Sequence, residues 1–101
     1  MEDRAALERR YQRLNAQAQQ YLQRINELEA QLNMCRVVSR SSRASADQIL
    51  EYQERIKVFG ILLEEQQALL RAVNVRLVQV TRTLRANEQT PSQMLITQDS
   101  K

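Results

Sequence analysis

The residues best able to do chemistry in this chain are one cysteine, Cys35, a group of glutamates at 51, 54, 64 and 65, and two groups of arginines. The sequence has no histidine, so the usual base near neutral pH, the usual zinc ligand and the Glu-x-x-His pattern of di-iron bundles are all missing. Cys35 therefore has no imidazole to activate it. It also falls on an apolar seam, where a thiol acts as a small core residue rather than as a nucleophile. The glutamates are interspersed with Arg55, Lys57 and Arg71, with Glu51–Arg55 four apart and Glu54–Lys57 three apart, the pattern of a solvated, charged helical face. There is no glycine-rich phosphate loop. The expectation is a protein that is not an enzyme, with no metal, no cofactor and no small-molecule substrate.

Arg36, Arg40 and Arg43 are three bases with no acid between Ala30 and Ala46, while Arg71, Arg76, Arg82 and Arg85 crowd a later segment. Phosphate contacts from Arg36, Arg40, Arg43, Arg82 and Arg85 would make a module that binds RNA or DNA. The net charge is only +3, however, and arginine late in a helix also complements the negative end of the helix dipole. Nucleic-acid binding is carried as the alternative function.

Long helices must position whatever the chain does, because one Gly and one Pro in 101 residues leave little punctuation for strands or turns. From Leu7 the apolar positions run Leu7, Tyr11, Leu14, Ala18, Tyr21, Ile25, Leu28, Leu32, Cys35, in unbroken steps of four and three. A second run, Ile49, Tyr52, Ile56, Phe59, Leu63, Gln66, Leu70, Val73, Leu77, Val80, Leu84, has the same spacing with one polar exception. Both are heptad seams. The valines at 73–80 alternate in a strand-like way, but the heptad passes through them without slipping, so the segment is expected to be helical.

Between the seams the phase slips by half a heptad, and the would-be core positions Ser39, Ser42 and Ala46 are small or polar. Ser45-Ala-Asp-Gln48 has the form of a capping box, which marks a helix start. The chain is therefore expected to be all-α: two long heptad-patterned helices in an antiparallel coiled-coil hairpin, assembling further into a four-helix bundle or larger coiled-coil oligomer. Helix one is placed at 1–37, a Ser/Arg hinge at 38–45, helix two at 46–88 and a flexible tail at 89–101, since Pro91 should stop the helix. Folding about residue 42 sets Leu14 opposite Leu70 and the two weakest seam residues, Ala18 and Gln66, in one layer.

One narrow seam between two helices buries little. The second helix supplies more apolar surface: Leu62 and Leu69 beside its seam, and Val58, Ile61, Ala68, Ala72, Val75 and Val78 on its outer side. The first helix has no comparable second face. Val58, Ile61, Leu62, Leu69, Ala72, Val75 and Val78 are thus the expected protein interface, covered by a second copy, with a dimer favoured, or by a helix of another protein. An unpaired cysteine and an amino terminus without an apolar leader segment point to an intracellular location, cytoplasmic or nuclear. No run is long enough to span a bilayer.

Overall fold

A computed structural model describes the backbone from Asp3 to Asp99 and the side chains from Asp3 to Asn87. It consists of α1, Arg4–Ser39, and α2, Ala46–Asp99, packed as an antiparallel helical hairpin with no strand among the described residues. Asp3 caps α1: its Oδ1 accepts from the Ala6 amide at 2.7 Å, satisfying one of the first free donors of the helix, and its carbonyl accepts the first helical bond from the Leu7 amide at 3.1 Å.

The turn needs neither Gly nor Pro because no described residue has positive φ; serines close it instead. Ser39 Oγ donates to the Arg36 carbonyl at 3.0 Å, and the Ser41 amide donates to the Val38 carbonyl at 3.1 Å, tightening the end of α1. The Arg43 amide then donates to Ser41 Oγ at 3.2 Å, and the Ala44 amide to the Ser41 carbonyl at 3.3 Å. The expected capping box starts α2. Gln48 N donates to Ser45 Oγ at 3.2 Å, Ser45 N donates to Gln48 Oε1 at 3.0 Å, and Asp47 lies in the first turn. Reciprocal bonding of this kind satisfies two donors and, with the acid, favours the positive end of the dipole.

Two boundaries differ from expectation. α1 runs two residues longer, to Ser39. α2 does not stop at 88 but continues through Pro91 to Asp99, so the helix extends through 89–99, where a flexible tail was expected. A proline inside a helix forfeits one backbone bond and crowds the preceding turn, yet Glu, Gln, Met and Leu on either side are good helix formers. The side chains of 88–101, including those of Thr90 and of Leu95 and Ile96, lie outside the described residues.

The chain resolves into two compact units, Met1–Ala18 with Ala72–Lys101, and Gln19–Arg71. In the first, Leu7, Leu14 and Ala18 of α1 and Val73 and Val80 of α2 are buried. In the second, which contains the turn, the buried set comes from α1 alone: Ile25, Leu28, Leu32 and Cys35. The α2 residues of that unit's seam, Ile49, Tyr52, Ile56, Phe59, Leu63, Gln66 and Leu70, are all half-buried. Large aromatic and branched side chains cover the slimmer stripe of α1 while keeping their own flanks exposed.

The register is also about one heptad from the expected one. Leu7, Leu14 and Gln17 share a cleft with Arg76, Val80 and Thr83, and Tyr11 shares another with Asn74, Leu77 and Val78. Ala18 belongs with Val73 in one unit, whereas Gln66 and Leu70 belong to the other. A heptad shift keeps a positions facing d positions, so apolar pattern alone leaves the two registers nearly equivalent.

Burial of the seam holds the fold. A buried Leu or Ile contributes about 1.5–3 kcal/mol, whereas the ion pairs Arg4–Glu8, Arg24–Glu27, Arg55–Glu51 and Lys57–Glu54 are all within one helix and exposed, worth roughly 0.3–0.5 kcal/mol each. Two substitutions test this account by urea denaturation. Ser45→Ala should cost about 1 kcal/mol by breaking the capping box, and little further should be lost when Gln48→Ala is added. At Gly60 an added Cβ would meet nothing within 4 Å, so Gly60→Ala should stabilise by about 0.5–1 kcal/mol through helix propensity. Destabilisation would mean that the backbone there needs a close neighbour.

Candidate functional site

α2 is one uninterrupted helix over the segment of interest, so helical period alone fixes which residues share a face. Opposite the seam lie Val58, Ile61, Glu65, Ala68, Ala72 and Val75, spaced 3, 4, 3, 4, 3. That is a second heptad stripe, about 26 Å long at 1.5 Å per residue. Val58, Ile61, Leu69, Val75 and Val78 keep 44 to 59% of their surface; Ala68 and Ala72 are exposed, and Leu62 is half-buried. The sequence-derived interface residues therefore lie on open α2 surface, with Leu62 partly covered by its place beside the seam. α1 has no comparable stripe: of its exposed Tyr11, Leu22, Met34 and Val37, only Met34 and Val37 are neighbours on the helix, and scattered surface apolar groups of this kind are common.

Apart from the Glu65 carboxylate, this aliphatic stripe offers shape and dispersion alone, so the surface is suited to excluding water against another apolar stripe. Its flanks are charged. Glu64 and Arg71 border it on one side, and neither has an ion-pair or hydrogen-bond partner among the described residues. Arg55, by contrast, is already engaged, bonded to Glu51 at 2.6 Å and stacked 4.9 Å from the Tyr52 ring centroid.

The five arginines named as phosphate contacts do not form one group. Arg36, Arg40 and Arg43 belong to the unit with the turn, and Arg82 and Arg85 to the other. In that second location Arg82 and Arg85 line a cleft of about 500 Å³ with Tyr11, Asn74 and Thr81. Thr81 spends its hydroxyl on the Leu77 carbonyl at 2.7 Å. A neighbouring cleft of about 430 Å³ brings in Arg10, Arg13 and Arg76 around Leu7, Leu14 and Val80. Sequence reasoning named Arg76 among the late-helix arginines but did not bring Arg10 and Arg13 to it, since that grouping depends on the register; the spacing of Arg10 and Arg13 on α1 was the available signal.

No group of three or more Cys, Asp or Glu residues that could hold a metal occurs among the described residues. Nor is any described helix long and apolar enough to cross a membrane. No protein-family model, curated protein or solved structure matches the chain. Cys35 is 1% exposed in the seam, a free thiol. It should react with a disulfide-exchange reagent on the order of a hundredfold or more slowly in the native protein than in denaturant, because access requires local opening. Rapid native labelling would show that the thiol is reachable.

Proposed function

We propose that this chain is a non-enzymatic helical assembly module that works as a scaffold or subunit in an intracellular complex, cytoplasmic or nuclear, with α2 as its docking element. One observation carries this reading: α2 has two apolar faces, one covered by α1 and one open, so it is built to lie between two helices. Packing is then the whole mechanism. The occupant is a second copy or a helix of another protein, seated by burial of Val58, Ile61, Leu62, Leu69, Ala72, Val75 and Val78, in the manner of bundle and helix-in-groove interfaces.

Light scattering tests it. The parent chain should have an oligomeric mass and a melting temperature that rises with concentration. Leu62→Glu with Leu69→Glu should reduce it to monomer, because each charge enters a desolvated contact without a partner. Gln17→Glu with Gln31→Glu on α1 should leave the mass unchanged. An oligomer that survives the α2 changes places the interface elsewhere.

The basic unit favours a second reading. Among the residues whose side chains are described, this unit holds seven bases, Arg4, Arg9, Arg10, Arg13, Arg76, Arg82 and Arg85, and two acids, Asp3 and Glu8. A nucleic-acid module would use these arginines for phosphate contacts, and its affinity would fall steeply with salt. Absence of retention on single- or double-stranded nucleic acid at low salt eliminates it.

A further inference from the structure

We infer that the open face of α2 pairs with the same face of a second copy, antiparallel, with Val58 opposite Val75, Ile61 opposite Ala72 and Glu65 opposite Ala68. The inference rests on the reading of α2 as the docking element and commits it to one occupant. The stripe is its own complement. Inverting it about the point between Glu65 and Ala68 returns each six-position layer to a partner of the opposite heptad type, as antiparallel packing requires. Bulk is matched too: the largest residue, Ile61, meets the small Ala72. Glu65, the one charge in the stripe, meets Ala68, whose short side chain leaves the carboxylate a route to water.

The flanks decide orientation. In the antiparallel register Glu64 of one copy meets Arg71 of the other, twice by symmetry, and neither has an ion-pair or hydrogen-bond partner among the described residues. On the opposite border Leu62 meets Leu69. A parallel pair would instead set Glu65 against Glu65 and Arg71 beside Arg76 with no opposite-charge pair across the contact, whereas the antiparallel pair sets one like pair together, Arg55 and Arg76, of which Arg55 is already bonded to Glu51. Displacing the antiparallel register by one heptad sets Val58 against Arg82 or leaves Val75 beyond the stripe. A two-fold contact of this kind closes on itself, giving a dimer rather than a fibre.

Val58→Cys and Val75→Cys, made singly on these exposed positions with the buried Cys35 left in place, test the geometry with a short thiol cross-linker. The two variants mixed should cross-link to each other, while each alone should not, since identical positions would lie about 26 Å apart. Cross-links within each variant alone mean parallel pairing and overturn the inference. So does a dimer with no cross-link in any mixture, or a parent that is monomeric throughout.

Charge reversal gives an independent measure. Glu64→Arg and Arg71→Glu should each weaken the dimer on the order of tenfold, and the two together should restore it. Additive loss would overturn the pairing, since the residues are seven apart and do not touch within one helix. Should Leu62→Glu with Leu69→Glu dissociate the protein while the cross-links join like positions, the docking face stands and only the antiparallel register falls.

Discussion

Two helices can share only one seam, and every other feature of this protein follows from that restriction. α1 is apolar along a single stripe and is almost fully satisfied by it: seven of its nine seam positions are buried, and Leu28 is completely so. α2 covers them and is left with its own seam half-buried except at Val73 and Val80, and with an opposite face uncovered.

Much of this was legible from the residues. The half-heptad slip between Cys35 and Ile49 and the Ser45/Gln48 pair fixed the reversal of the chain before any coordinates, because both are local, and local hydrogen bonding decides where a helix begins. The register was not legible. A heptad pattern is unchanged by a shift of seven, so the pairing of Ala18 with Gln66 had only a weak preference behind it. The actual register depends on how much chain the turn consumes, and that is set by serine contacts to backbone that no periodicity reveals. Pro91 misled for another reason: its local penalty is finite, and neighbouring helix formers offset it.

The open position of the candidate surface was legible as a pattern: Val58, Ile61 and Val75 stand out because apolar residues outside a seam are anomalous on a solvated helix, and all three are exposed. The grouping of Arg10 and Arg13 with Arg76 was not, since a charge cluster assembled from two helices exists only once the register is known. The same distinction accounts for Cys35. Its seam position could be read from spacing, and its near-complete burial adds the physical reason that a thiol there is inert.

The turn also governs the order in which this hairpin can form. Contacts near residues 35 to 56 close a short loop, whereas Leu7 and Val80, buried in the same unit, are separated by most of the chain. Loop closure grows dearer with length, by about 0.6 kcal/mol for each doubling. Once the serine-capped reversal is set, each further turn of helix adds its layer to an already aligned neighbour, and no long loop need close in a single step. Folding should thus run as a zipper from residue 45 outward. The chain ends would join last and open first, so the basic clefts beside Tyr11 and Arg76 belong to the part of the molecule that exchanges its amide hydrogens soonest.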